Sequence, residues 1–368
     1  MTGFSAALIG NLDCEVTWIG GAGLPAAVRT RLARLATTLR ALVPDGGAAD
    51  DDHADVALWL PAPVPAHAIP SGPGPRPRLV TGPRPTAERC LPWGASDDLV
   101  ARQPRTDAGA SAEPASWQAA LWAQPPVTAA IARAASDRRL AAALAVELGV
   151  ALPGAITITT VDELRAHLAA GGADASPTGT WVTKAVVTSA GRERVRRTGA
   201  TIDDPTATRI ARLLAQHGAL VFEPWLERVL DVGIGGVVLG DGRARLLPPH
   251  RPWCDAAGVV RGVVVDDGAA LEPGWHGELT RVATAVARRL AALGYRGGFV
   301  VDAFVHRAAG GPRLHPLVEI NPRLTFGLVA RAWAERTGAT TLGLGGPPPA
   351  GARPLVLDDD GTWAAWLA

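Results

Sequence analysis

Two apolar segments near the C-terminal end carry polar residues in a pattern that few folds accommodate. The first, 298–305, contains Asp302 between hydrophobic residues, and the second, 314–320, contains Glu319 and leads into Asn321. We predict both as strands of a hairpin, since a Gly-Gly-Pro turn joins them. Side chains two positions apart share a strand face, so Glu319 and Asn321 lie together and the pairing brings Asp302 to them.

This convergence predicts a metal site. Two carboxylates and an amide oxygen form a hard, all-oxygen ligand set that suits Mg²⁺ (or Mn²⁺) and shares the ion with substrate phosphates. The alternative is a hairpin with solvated carboxylates at its end. That alternative explains Glu319, but it explains Asp302 poorly, because an unpaired carboxylate among hydrophobic residues is costly.

A second unusual residue is Lys184, the single lysine among 36 basic residues. It lies in a predicted strand, 181–187, whose same face carries Val182 and Val186. A compact ammonium suits a site that must reach one phosphate oxygen or ring nitrogen in a tight space, where the planar guanidinium of arginine fits less well. The small residues that follow, at 188–191, can cradle a phosphate with backbone N–H groups. A lysine left by chance on a strand edge, followed by a plain hairpin turn, is the alternative.

A third pattern follows the apolar strand 219–223, which ends in Glu223 before a short connector through Trp225 and Leu226. We interpret the connector as a hinge between two domains, where a nucleotide base binds against backbone and apolar groups. The alternative is a strand that ends at solvent.

Composition limits the possible classes of protein. The chain has 368 residues, is 48% hydrophobic and 19% charged, and carries a net charge of +1. These values predict two or three globular domains and argue against nucleic acid as a main partner. Neither a signal-peptide pattern nor an apolar run long enough for a membrane span is apparent. The three separated cysteines predict reduced thiols and a cytoplasmic location.

Periodicity predicts three units, 1–126, 127–226 and 227–368. The first alternates strand, helix and strand as in a Rossmann-like α/β domain, with the helix at 24–43, and its stretch 61–93 is too rich in Pro and Gly for long regular structure. The other predicted elements are helices at 131–148, 161–170, 205–217 and 278–293 and strands at 156–158, 232–239 and 259–265. Thr160 and Glu163 form a predicted capping box.

Taken in order, these motifs resemble the ATP-grasp superfamily over about residues 127–330. The motifs are Asp137-Arg138-Arg139-Leu140, Lys184, the loop with Ser189 and Gly191, Glu223-Pro224-Trp225-Leu226, Asp302, and Glu319-Ile320-Asn321-Pro322-Arg323. The resemblance implies two α+β subdomains that clamp ATP, preceded by the N-terminal α/β domain.

The resemblance also implies roles for individual residues. Lys184 would contact the α-phosphate and adenine, Ser189 and Gly191 would lie in the mobile phosphate lid, and Glu223, Trp225 and Leu226 would hold adenine. Asp302, Glu319 and Asn321 would bind the metal, and Arg323, with Lys184, would act on the transferred phosphate. Two positions depart from the family pattern. Arg139 or Arg138 replaces a lysine that many members carry, and either Asp231 or Glu227 would bind the ribose.

The activity implied is carboxylate activation: a carboxylate attacks the γ-phosphate of ATP, and an amine displaces phosphate from the resulting acylphosphate. The expected partners are a small-molecule acid and an amine such as an amino acid or peptide, and a homodimer is compatible with this interpretation. The alternatives are a small-molecule kinase of the same fold and a non-catalytic nucleotide sensor. Residues with a weaker claim to the substrate site are Arg243, Arg245, His250, Arg251, Trp253, Arg261 and the segments 11–15 and 20–23. A solvated arginine face is at least equally expected, and His250, between Pro249 and Arg251, is expected at the surface. His315 shares the strand face of Glu319 and could face the metal site; a packed histidine is equally expected.

Overall fold

The computed structural model describes residues 4–18, 24–43, 52–71, 74–100, 114–188, 193–255 and 259–368. Its helices are α1 (Cys14–Trp18), α2 (Ala26–Ala36), α3 (Asp97–Val100), α4 (Trp117–Trp122), α5 (Ala129–Ala135), α6 (Arg138–Glu147), α7 (Val161–Ala169), α8 (Asp204–His217), α9 (Pro273–Ala292) and α10 (Phe326–Thr337), with 3₁₀ turns at Thr37–Leu42 and Ala66–Ala68. Its strands are β1 (Phe4–Ile9), β2 (Asp52–Trp59), β3 (Arg76–Val80), β4 (Ala87–Pro92), β5 (Ile156–Ile158), β6 (Thr180–Ala185), β7 (Arg194–Thr198), β8 (Leu220–Pro224), β9 (Arg228–Val238), β10 (Ala244–Leu246), β11 (Arg251–Cys254), β12 (Val260–Val264), β13 (Gly297–Ala308), β14 (Gly311–Asn321), β15 (Thr341–Gly343), β16 (Arg353–Leu357) and β17 (Trp363–Leu367).

The N-terminal sheet is parallel, with the strand order β3-β2-β1-β4. The order reverses direction between β1 and β4, so the carboxyl ends of these two strands flank a crevice. Strands β3 and β4 lie inside the stretch 61–93, where sequence patterns predicted no long regular structure. They are short, and pairing with β2 and β1 selects them where local propensity does not.

The second sheet, β5-β8-β6-β7, is antiparallel. Helices α7 and α8 cover one face and build a separate apolar core with it, which includes Trp181 and Phe222. The capping box is confirmed, since the Thr160 side chain accepts from the Glu163 backbone and the Glu163 side chain accepts from the Thr160 backbone. Strand β7 was missed because four of its five residues are polar.

The third sheet, β10-β9-β13-β14, contains the predicted hairpin, and its pairing is confirmed with Asp302 opposite Glu319. Helix α9 packs Leu279, Val282 and Val286 against one face of this sheet, and α6 lies beside it in the same apolar core. The predicted helix 131–148 is two helices, because Asp137 caps α6 by accepting from the backbone N–H of Arg139 at 2.8 Å.

The fourth sheet, β11-β12-β15-β17-β16, is formed by the C-terminal part of the chain. Its buried residues, together with α10, share one apolar core with the N-terminal sheet. The indole Nε1 of Trp333 donates to the Thr38 carbonyl at 3.0 Å, and Arg34 pairs with Asp358 at 3.0 Å. The unit boundaries at 126/127 and 226/227 stay a prediction. None of the helices in the described ranges is both long and apolar enough to cross a membrane.

Candidate active site

The acidic pair lies on the face of the third sheet that α9 leaves uncovered. Asp302 on β13 is opposite Glu319 on β14, and the Asn321 amide donates to Asp302 Oδ2 at 3.0 Å. Residues at intervening positions, such as Val301 and Ile320, point to the opposite face and into the core. Strand alternation therefore holds all three predicted metal ligands on one side, as the sequence indicated.

The electrostatics of the pair fit a bound cation. Burial, and next the nearby Glu319 carboxylate, raise the pKa of Asp302 to about 7. The net effect of the surroundings is to disfavour the ionised form of Asp302, and a hard divalent ion bound to the two carboxylates would offset that effect. No group of three or more His, Cys, Asp and Glu side chains suited to a metal occurs among the described residues. The donor set here is instead two carboxylates and one amide, which leaves coordination positions for ligand oxygens.

Arg138 connects strand β14 to strand β6 of the second sheet. Its Nη2 donates to Glu319 Oε1 at 2.8 Å, and its Nη1 donates to the Ala185 carbonyl at 2.7 Å and to Thr188 Oγ1 at 3.0 Å. The side chain is buried. Arg139, the residue named first from the sequence, is 54% exposed and pairs with Asp137 at 2.6 Å. The structure therefore brings Arg138, and not Arg139, to the site.

Lys184 lies in a partly buried ion pair. Its Nζ donates to Glu223 Oε2 at 2.5 Å, across the neighbouring strands β6 and β8. Burial alone would raise the pKa of Glu223, but the Lys184 ammonium outweighs it and the pKa lies below its ordinary value. His315 lies beside this pair, and burial lowers its pKa to about 4. A register shift between Asp302 and Phe304 places His315 opposite Phe304, on the sheet face that carries Asp302.

The hinge residues border a small apolar cluster. Leu226 packs with Leu152 and Phe304. The backbone of Trp225 is anchored on both sides: its N–H donates to the Thr180 carbonyl at 2.8 Å, and its carbonyl accepts from Ser176 at 2.8 Å. The apolar cluster lies next to the Lys184–Glu223 pair and is a suitable surface for a planar base.

The two ribose candidates differ in placement. Asp231 is opposite Phe304 in the β9–β13 register and therefore lies on the same face as Asp302. Asp231 pairs with Arg228 at 3.1 Å. The guanidinium of Arg228 lies 4.3 Å from the centroid of the Phe304 ring. Glu227 pairs with Arg307, and both of these side chains are two-thirds exposed. The geometry places Asp231 with the other candidates and leaves Glu227 at the surface.

Arg323, just after strand β14, joins that strand to helix α1 of the N-terminal unit. Its Nε donates to Glu15 Oε1 at 2.5 Å, and its Nη2 donates to Asn321 Oδ1 at 3.1 Å. The guanidinium lies 5.6 Å from the Trp93 ring centroid. A recess of about 50 Å³ opens beside Arg323, and Trp93, Gly94 and Tyr295 line part of it.

Sequence reasoning missed two cations on this surface, Arg196 and Arg228. Arg196 is opposite Val182, shares the Lys184 face of the second sheet, and lies 4.7 Å from the Trp225 ring centroid. The signal for it was the alternation of arginines in β7, which becomes visible only when β7 is recognised as a strand. Ser189, Gly191 and the segment 20–23 fall outside the described residues.

The arginine-rich cluster proposed for substrate binding does not form a common site. Its members pair with nearby acids: Arg243 with Asp241 at 2.6 Å, Arg251 with Asp266 at 2.7 Å and Arg261 with Asp255 at 2.7 Å. Arg245 donates to the Pro114 carbonyl at 2.9 Å, and Trp253 packs against Trp366.

The expectation that His250 lies at the surface is wrong. Its backbone pairs with Gly233, and its ring is buried between Gly233 and Gly327, where a Cβ at either glycine would overlap it. Burial lowers the pKa of His250 to about 4, so the ring is neutral near neutral pH. The flanking Pro249 and Arg251 suggested that His250 is exposed. The position of its ring is decided by Gly233 on β9 and Gly327 on α10, which are distant from His250 in the sequence.

Comparison with solved structures finds several proteins to which the chain is similar. A biotin carboxylase–β-γ-ATP complex from Campylobacter jejuni is 11% identical, with 99% of this chain and 87% of that chain covered and a TM-score of 0.54. A pyruvate carboxylase from Rhizobium etli, with the allosteric activator acetyl coenzyme A, is 14% identical with a TM-score of 0.51; 92% of this chain matches 28% of that one. An N5-carboxyaminoimidazole ribonucleotide synthetase from Thermus thermophilus is 16% identical, with coverages of 98% and 92% and a TM-score of 0.47.

No sequence profile of a protein family matches the chain, and no curated protein sequence matches it. At these identities the similarity is one of fold. Together with the four sheets described above, it confirms the fold class that the sequence predicted, a parallel α/β sheet followed by two α+β units.

Proposed function

Because the chain has the ATP-grasp fold, we propose that it is an ATP-dependent carboxylate–amine ligase. In the proposed reaction an oxygen of the acid attacks the γ-phosphorus of ATP, the bond to the β-phosphate breaks and ADP leaves. The amine nitrogen then attacks the acyl carbon of the acylphosphate, the C–O bond to phosphate breaks, and an amide forms with loss of a proton from the amine.

One observation carries the proposal: three cations and the acidic pair converge from two sheets and the start of helix α6. Lys184 approaches from the second sheet, Arg138 from the first residue of α6 and Arg323 from the end of β14, while Asp302 and Glu319 lie on the third sheet. Phosphoryl transfer is accelerated mainly by positioning and by neutralising charge on the phosphoryl oxygens, and this set of groups supplies both. A protein nucleophile is not required.

Each group has a proposed role. Lys184, released from Glu223, would bind the α-phosphate, and the hinge at Trp225 and Leu226 would hold adenine. Asp231 would bind the ribose, and Arg323 would bind the transferred phosphate. Asp302, Glu319 and Asn321 would hold Mg²⁺ or Mn²⁺, which, when bound, would neutralise charge on the phosphate oxygens.

The test is to measure nucleotide products in mixtures of acids, amines, ATP and Mg²⁺. The proposal expects release of ADP and phosphate that depends on both an acid and an amine. Release of AMP and pyrophosphate would contradict it. A stable phosphorylated product from one acceptor, identified by mass spectrometry, would indicate a kinase.

Two matched Asp-to-Asn variants control for the metal site. Asp302→Asn removes one carboxylate of the acidic pair, and Asp241→Asn removes a carboxylate in the exposed pair with Arg243. We expect Asp302→Asn to lose Mg²⁺-dependent turnover by at least about 100-fold, while Asp241→Asn keeps it. Turnover by Asp302→Asn at the parent rate would remove the metal role assigned here.

A further inference from the structure

The Arg323–Glu15 pair joins two units that are distant in the sequence. Glu15 is in α1, just after the first strand of the N-terminal sheet, and Arg323 follows the last metal strand. The Arg323 and Glu15 side chains are 17% and 11% exposed, so both are held in place but accessible to a small ligand. The proposed reaction uses Arg323 and gives no role to the Glu15 carboxylate.

The position of Glu15 indicates a ligand site. It lies at the crevice where the parallel sheet reverses its strand order, between the ends of β1 and β4. Asn11 ties these ends together, since its amide donates to the Gly94 carbonyl at 2.8 Å and its Oδ1 accepts from the Gly94 N–H at 3.3 Å. Small ligands bind at such crevices in open parallel sheets. Trp93, beside the guanidinium, supplies an apolar wall.

The charges at this crevice select the class of ligand. An acid that carries only a carboxylate would bind Arg323 and displace Glu15 from its partner, which leaves a largely buried carboxylate without compensation. A ligand that carries both a carboxylate and an ammonium compensates both groups, because its carboxylate binds Arg323 and its ammonium binds Glu15. A zwitterionic ligand therefore replaces the Arg323–Glu15 ion pair by two ion pairs, one with Arg323 and one with Glu15.

We infer that the acid substrate is an amino acid whose ammonium binds Glu15 while its carboxylate lies at Arg323. This inference rests on the proposed ligase function and adds the class of its acid substrate. It also makes Glu15 a residue that distinguishes substrates.

The experiment compares amino acids with the same acids lacking the amino group. ADP release is measured with ATP, Mg²⁺ and hydroxylamine as a fixed nucleophile, for alanine and propionate, valine and isovalerate, and phenylalanine and hydrocinnamate. We expect at least one amino acid to have a kcat/KM at least about 100-fold higher than that of the same acid without the amino group. The reason is that the acid without an ammonium forms no charged hydrogen bond with Glu15 and leaves that desolvated carboxylate unpaired. Glu15→Gln should raise the KM for the amino acid roughly 10- to 100-fold and lower the KM for the acid without the amino group, because no buried carboxylate is then left uncompensated when that acid binds Arg323.

Glu147→Gln is the matched control, since Glu147 forms an exposed pair with Arg289 at 2.6 Å. Its substrate preference should equal that of the parent. Glu15→Asp keeps the carboxylate and should retain part of the preference for the amino acid over the acid without the amino group. This variant provides the comparison with the parent if Glu15→Gln folds poorly. Equal use of both acids by the parent, or an equal effect of Glu15→Gln on both, overturns the inference while ADP release supports the ligase. Failure of every acid to release ADP with any amine contradicts the proposed function itself.

Discussion

Lys184 determines the charge state of the region beside the hinge, because it pairs with Glu223. Its ammonium reaches Glu223 at 2.5 Å from inside a strand whose neighbours are largely buried. The pair holds two charges near the hinge, and the Glu223 pKa is depressed by it. Breaking such a pair leaves an uncompensated charge, so the two residues act as one unit.

Lys184→Arg tests whether the ammonium itself matters. Arginine keeps the positive charge near Glu223, so we expect the folded protein to remain close to the parent in stability. Its planar fork cannot occupy the same space, so kcat/KM for ATP should fall roughly 10- to 100-fold. Thermal unfolding and ATP kinetics measure the two effects. Parent-like kinetics in a folded variant would show that Lys184 does not contact ATP.

His250 predicts a pH dependence of stability. Its folded pKa, about 4, lies below the value near 6.5 expected when it is unfolded. The unfolded chain therefore binds the proton more readily, and the stability contributed by the neutral ring is complete above the unfolded pKa and is lost as the pH falls toward 4.

The measurement is denaturant unfolding of the parent and His250→Gln at several pH values. Between about pH 7.5 and about pH 5 the parent should lose about 2 kcal/mol more than the variant. His306→Gln is the control, because His306 lies at the surface end of β13. Parallel pH profiles of His250→Gln and the parent would contradict the buried neutral state of His250.

At the scale of elements, glycines set how closely β9 and α10 approach the segment between β10 and β11. The His250 ring fills the space left by the absent side chains of Gly233 and Gly327. This contact fixes the start of α10 over the third sheet, next to β13 and β14. The same helix carries Trp333, which packs into the shared core.

Gly327→Ala and Gly277→Ala form a matched pair of substitutions in helices. An added methyl group at Gly327 overlaps the enclosed His250 ring, and this overpacking should destabilise the protein by about 1–3 kcal/mol. At Gly277, in α9, the methyl group meets open space, and the higher helix propensity of alanine should stabilise by about 0.5–1 kcal/mol. Denaturant unfolding measures both. The same sign for both variants would show that the close packing around His250 is wrong.

On the scale of the whole molecule, the described residues form three main apolar cores, one of which lies between α9 and the third sheet. The N-terminal sheet, α10 and the fourth sheet share one apolar core, so the two ends of the chain are bound together. The second sheet has its own core with α7 and α8. Its links to the rest include Arg138 and the small cluster at Leu226. That this unit moves as a lid stays a prediction.

This division predicts separate opening of the second sheet. In hydrogen exchange at increasing denaturant, amides of β6 and β8 should exchange through an opening that costs roughly 2 kcal/mol less than the opening of β9 and β13. Amides of β1 and β15 should exchange together despite their distance in sequence, because they share a core. Coincident exchange of all these strands at every denaturant concentration would contradict a separable second unit.

The comparison of prediction and structure is clearest at Asp302 and His250. Alternation along a strand is a local property, so the hairpin, its pairing and the common face of Asp302, Glu319 and Asn321 followed from the sequence. The packing of His250 depends on glycines contributed by β9 and α10. Such a contact leaves no trace in the pattern around His250 itself.

Sequence alone therefore established the strands and helices with strong periodicity, their α/β order and the types of residue at the site. Packing between elements selected which of two candidates reaches the site, Arg138 over Arg139 and Asp231 over Glu227, and it revealed the pairing of Glu15 with Arg323. The physical reason is that side-chain direction within an element follows from backbone geometry, whereas contacts between elements depend on how separate faces pack.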